Sequence, residues 1–170
     1  MRRAITVAIA ATAAAGLSVA LSTGGGASAS GTQTLTFFED AGRGTEKLID
    51  NAPKSPTPNP GSRRFRLSIG DELVVRTPLF DRKGGARLGT LFAKGTIVKG
   101  HRFSSAVIQV DEVIRLGNGQ LTLAGVIRDQ VLNAAAVTGG TGAYEGARGS
   151  ATERDVNEGR GAELSIHLLP

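Results

Sequence analysis

Residues 137–150 read VTGGTGAYEGARGS. Gly139, Gly140, Gly142 and Gly146 fall within its first ten positions, Gly149 follows, and Tyr144 is the only tyrosine of the chain. A glycine cluster after an apolar run is either a phosphate-binding loop or a turn between strands. A dinucleotide loop needs G-x-G-x-x-G opening a helix. From Gly140 the order is Gly-Thr-Gly-Ala-Tyr-Glu, so the third glycine is displaced by one place. The residues that follow, GARGSATERDV, carry no helical apolar stripe, and the Gly-Lys-Ser/Thr of a P-loop is absent. The five glycines are therefore read as a structural turn joining two strands, where they permit positive φ and close backbone approach.

Outward from this turn, strand signals recur at even intervals and helix signals are nearly missing. TQTLTFFED opens the series. RRFRLSIGDELVVRTPLFD reads as a strand bent near Gly70, and Lys83-Gly84-Gly85 turns the chain into ARLGTLFAKGTIV. SSAVIQVDEVIRL and QLTLAGVIRD flank Gly117-Asn118-Gly119, the strongest hairpin signal present. VLNAAAV enters the glycine turn, EGARGSATERDV leaves it, Asn157-Glu158-Gly159 turns once more, and GAELSIHLL ends the chain. About eight strands with short turns give an all-β class, an antiparallel barrel or sandwich. Residues 52–62 form a loop rich in proline, too short for a second domain.

The amino end is of another kind. MRR, the apolar run AITVAIAATAAAGLSVAL and the small-residue stretch ending Ala27-Ser28-Ala29 have the three parts of a cleavable secretory signal. Residues 1–29 are thus expected to be removed, leaving residues 30–170 as a single secreted domain with no stable membrane anchor. Loss of Arg2 and Arg3 leaves 18 Lys and Arg against 15 Asp and Glu, a net charge of about +3. That is mild for a nucleic-acid binder, and no such partner is expected. The chain has no cysteine, which removes thiol catalysis and Cys-zinc sites. His101 and His167 show no metal-ligand spacing, so neither a metal nor a cofactor is expected.

The glycine stretch also resembles the signature of the allene oxide cyclase/dirigent barrel superfamily. Glu145-Gly146-Ala147 is similar to the cyclase pattern G-G-x-G-x-F-E-G-A, and Ala147-Arg148-Gly149 to the dirigent pattern G-G-T-G-x-F-x-x-A-R-G. Upstream, GDELVVRTPLFDRKGGARLGTLFAKGTIV resembles the family's G-D-x-x-x-F-x-x-x-L-Y-D segment and the strand after it. The likeness runs over about residues 35–169. It implies an eight-stranded antiparallel β-barrel with an apolar cavity, assembled as a trimer or dimer.

The resemblance also implies site residues. Glu39, late in the first strand, takes the position of the cyclase glutamate thought to act on the epoxide substrate; otherwise it is a solvated strand-end charge. Arg148 matches the motif's arginine and either binds a polar ligand group near the cavity or pairs with a neighbouring acid. These two are the catalytic candidates, expected to converge at one barrel mouth. Arg76, Asp111, Arg128, Tyr144 and His167 are the ligand-binding candidates. Asp111 and Arg128 either pair across the lumen or face water. Tyr144 takes the family's aromatic position. His167 points to the face opposite Ile166 and Leu168. Other family positions differ: the cyclase asparagine falls on Ala41, its tyrosines near Ile127 and Gln130, and the dirigent acids on Arg76 and Thr77. The expected function is a secreted barrel that binds a small apolar molecule and guides its cyclisation or isomerisation, an isomerase working by confinement. The alternatives are a non-catalytic binding barrel and a structural oligomer with a filled lumen.

Overall fold

The hairpin around Asn118 shows how the sequence sets the architecture. In the computed structural model, which describes residues 31–60, 62–128, 131–156 and 161–170, β5 (Val107–Leu116) and β6 (Gly119–Arg128) run antiparallel with Leu116 opposite Gly119. The connecting pair is Gly117-Asn118. Ile108, Val110, Glu112 and Ile114 alternate with Gln109, Asp111, Val113 and Arg115, and the first set is buried. Period-two alternation in β-branched residues is what a strand with one dry face requires.

The same logic extends through nine strands: β1 (Gln33–Glu39), β2 (Thr45–Ile49), β3 (Glu72–Phe80), β4 (Arg87–Lys99), β5, β6, β7 (Val131–Gly142), β8 (Gly149–Asp155) and β9 (Ala162–Leu168). All neighbours are antiparallel, in the order β1-β9-β8-β7-β6-β5-β4-β3-β2, and β1 also pairs with β3, closing the barrel. The strand absent from the sequence expectation is β2. Its register along β3 continues that of β1: Phe38 and Glu39 lie opposite Phe80 and Leu79, and Thr45 to Ile49 lie opposite Arg76 to Glu72. A short 3-10 turn, Ala41–Arg43, interrupts the line. The barrel is thus eight-stranded, with its first staves formed by two strands set end to end on the same edge of β3.

Two apolar clusters fill it. One gathers Phe37, Leu79, Leu91, Ile114, Leu121, Leu164 and Ile166. The other gathers Phe65, Leu67, Leu73, Ile97, Ile108 and Val110. Phe65 and Leu67 belong to the stretch expected to open a strand. Instead the strand begins at Glu72, and residues 62–69 fold over the barrel end as a plug. Buried Asp71 fixes the plug: its carboxylate accepts hydrogen bonds from the backbone N–H of Asn51 (2.8 Å) and Ser68 (2.8 Å) and from the Ser68 hydroxyl (2.9 Å). Leu67 N–H donates to the His101 carbonyl (3.1 Å), and Phe65 stacks on Phe103 at 6.4 Å between centroids. The expected signal segment 1–29 and the expected turn at Asn157-Glu158-Gly159 lie outside the described residues.

Candidate functional site

A glutamate on the apolar face of a strand has to be accommodated inside. Three are. On β5, Glu112 lies between Val110 and Ile114, which belong to different apolar clusters, and opposite Ala93 and Leu123. On β1, Glu39 follows Phe37 by one period and lies opposite Leu79 and Ala162, where the barrel closes. On β8, Glu153 follows buried Ala151 by one period and lies opposite Leu164. Its neighbour Arg154 faces outward and donates to Glu163 at 3.0 Å, which fixes the parity. Three carboxyls therefore enter one lumen.

Their electrostatics follow from that placement. Burial raises the Glu39 carboxyl well above the ordinary carboxylate range, and the like charges of Glu153 and Glu112 add to it. Burial pushes Glu112 up to about 7. Glu153 also reaches about 7, through burial first and then the charges of Glu112 and Asp155. Charging any one of the three in a dry interior is costly, and charging all three is more so. Glu39 is 9% exposed, and its Oε1 has no hydrogen-bond partner. An unmet buried oxygen costs free energy unless a ligand or a proton partner meets it. Ala93 lies opposite Glu112 and Ala162 opposite Glu39, the small side chains beside these acids. Inward-facing Val75, Ala93 and Glu153 stay partly accessible.

The arrangement holds the proton of Glu39 further up the pH scale than an ordinary carboxyl would, beside two carboxyls that titrate near 7. It can donate a proton, accept one, or hydrogen-bond a carbonyl, hydroxyl or epoxide oxygen.

Of the residues singled out in the sequence, Glu39 alone lies in this cluster. Arg148 does not converge with it. Arg148 is exposed, donates to the Pro170 carbonyl at 2.7 Å, and directly precedes Gly149, which pairs with Leu168. Glu39 pairs with Ala162, six residues earlier in β9, a separation of roughly 20 Å at strand rise. The shared mouth is therefore corrected: the two residues mark opposite ends. Arg76, Asp111 and Arg128 are exposed on the outer face, Arg76 opposite Thr45 and Phe92, Asp111 opposite Lys94, and Arg128 opposite Val107. Alternation puts each one residue out of phase with an inward neighbour. His167 is also outside, with Nδ1 at 3.0 Å from the Thr34 hydroxyl, because the dry face is that of Leu164, Ile166 and Leu168. Tyr144 packs half-buried against the larger apolar cluster, at the turn.

The turn itself spans residues 143–146, joining β7 to β8. Gly142, Gly146 and Gly149 have φ of +63°, +73° and +150°. Gly139 and Gly140 instead lie within β7. At Gly140 a Cβ would stand 2.3 Å from the Tyr144 carbonyl oxygen, so close approach and not turn conformation requires glycine there.

Glu112 and Glu153 went unread in the sequence. The signal was present: each shares the parity of the apolar residues beside it, Ile108, Val110 and Ile114 for one, Ala151 for the other.

The family model of the allene oxide cyclase barrel like domain matches residues 57–168. No curated protein matches the chain in sequence. Among solved structures it is similar to a pyocyanin demethylase, with 16% identity over 81% of this chain and 99% of that one, and a TM-score of 0.56. It is similar to AbnU, an exo-specific intermolecular Diels–Alderase, with 16% identity, 81% and 98% coverage, and a TM-score of 0.55. A nonspecific heme-binding cyclase that catalyses a [4 + 2] cycloaddition matches with 16% identity, 84% and 69% coverage, and a TM-score of 0.55. At such identities the likeness is one of fold.

Proposed function

Because the chain belongs to the allene oxide cyclase barrel like family, we propose that it is a secreted, cofactor-independent barrel that takes a small apolar molecule into its lumen and guides its cyclisation or isomerisation. The observation that carries this reading is the Glu39 carboxyl, buried, unpartnered at Oε1, and set among Glu112 and Glu153. In its neutral form Glu39 donates a proton, or a hydrogen bond, to an oxygen or an unsaturated carbon of the ligand. Glu112 or Glu153, titrating near 7, accepts the proton that the rearranged product releases. Proton exchange among the three carboxyls then restores Glu39, so the reaction consumes no proton overall, as an isomerisation requires. The surrounding apolar wall supplies orientation, and the structural likeness to cyclases and a Diels–Alderase supports shape-guided ring closure as the reaction class.

Native mass spectrometry of the protein secreted by its own host tests this. A bound apolar molecule is expected, one that the parent converts to an isomer and that Glu39→Gln binds but converts at least tenfold more slowly. An empty protein, or equal conversion by Glu39→Gln, would sink the reading.

A further inference from the structure

The charge inside the barrel is one-sided. Glu39, Glu112 and Glu153 point inward from β1, β5 and β8, and Glu46 of β2 and Asp155 of β8 share their register towards one end. Among the described residues, the strand positions facing Glu39, Glu112 and Glu153 bring no counter-charge. Val75 and Thr77 of β3, Ala93 of β4, Leu123 of β6 and Leu164 of β9 are the inward neighbours described. The strand cations Arg76, Lys94, Arg115, Arg128 and Arg154 all take the outward register. Among the described residues no Lys, Arg or His is buried, and no group of three His, Asp or Glu is placed to hold a metal ion.

We propose that the lumen selects an apolar organic cation, a molecule whose hydrophobic frame carries a positive charge, and that the unpartnered Oε1 of buried Glu39, with Glu112 and Glu153 beside it, is where that charge is held. The inference rests on the lumenal reading above and names the ligand class for the same site. Two costs keep these carboxyls protonated: lost hydration, and repulsion among themselves. A cation seated between them offsets both. Its binding expels protons, so its affinity rises with pH through the range in which Glu112 and Glu153 ionise. A neutral molecule of the same shape gains only apolar contact. An anion adds a like charge to a dry acidic site and is rejected.

Three probes with one bicyclic skeleton separate these cases: N-methylquinolinium, 1-methylnaphthalene and 1-naphthoate, titrated calorimetrically into the purified protein. At pH 8 the cation is expected to bind about tenfold or more tightly than 1-methylnaphthalene, with 1-naphthoate weakest. At pH 5 that preference is expected to fall to about threefold or less. Glu112→Gln and Glu153→Gln, which keep side-chain shape, are each expected to reduce the preference at pH 8, while the outward Glu163→Gln leaves it unchanged. Equal affinity for cation and neutral probe, or tighter naphthoate, would overturn cation selection and leave the apolar lumen standing. A preference abolished only by Glu163→Gln would also overturn it, since the cation would then sit on the surface. Failure of all three probes to bind would remove both readings.

Discussion

Glu112 sits on the dry face of β5 between Val110 and Ile114, and its carboxyl is raised from 4.5 to about 7 by burial. A folded-state pKa above the unfolded value means that the folded chain keeps the proton longer as pH rises. The group therefore costs nothing below pH 4.5 and destabilises progressively as pH climbs through 7. At ~1.4 kcal/mol per pH unit the full effect is on the order of 3 kcal/mol. The parent is expected to melt at a higher temperature at pH 5 than at pH 8. Glu112→Gln should flatten that slope, raising stability at pH 8 by on the order of 2–3 kcal/mol and changing little at pH 4. Equal melting temperatures across that range in both proteins would show that the carboxyl is hydrated. At Gly140 the contest is steric: a valine there would meet the Tyr144 and Gln120 carbonyl oxygens at 2.3 and 2.8 Å. Gly140→Val is expected to cost about 1–3 kcal/mol in denaturant unfolding.

At the scale of elements, the strands of β4 to β9 were legible because turn residues bound them, and β5 and β9 also alternate cleanly. The segment TEKLI of β2 was not, because its five residues are exposed or half-buried and carry no apolar alternation. Its strand state comes from pairing along β3, a tertiary cause that the local sequence does not announce. The plug was misread for the opposite reason. Phe65, Leu67 and Ile69 alternate as a strand would, yet the backbone is held by the Asp71 carboxylate and by His101 instead of a ladder. Glu39 was legible through resemblance to the barrel family, whereas Glu112 and Glu153 required knowing which face of each strand was dry. The plug's contribution can be measured. Leu67 is 1% exposed, and Leu67→Ala is expected to destabilise the protein by about 2–5 kcal/mol. A loss under about 0.5 kcal/mol would show that this end of the barrel is closed without it.

The whole molecule carries its polarity inside out at one level: acids in the lumen, and apolar groups on part of the wall. Val74 of β3 and Phe92 of β4 are 42% and 39% exposed, and lie on the outer register of neighbouring strands. Apolar groups gathered on an outer face suit self-association. Sedimentation is expected to show a concentration-dependent oligomer, shifted towards monomer by Phe92→Lys; a monomer at every concentration would leave this face with another role. Amino-terminal sequencing of secreted protein is expected to begin near Ser30, and an intact Met1 would contradict export by cleavage.

The lumenal acid cluster is tested most directly by following the carboxyl carbon-13 resonances of Glu39, Glu112 and Glu153 against pH. Glu112 and Glu153 are expected to titrate near 7 and Glu39 well above the ordinary carboxylate range, Glu39 moving when either of the others is changed to Gln and Glu153 moving when Glu112 is. Three independent titrations near 4.5, unaffected by the substitutions, would mean that the carboxyls do not share a dry lumen.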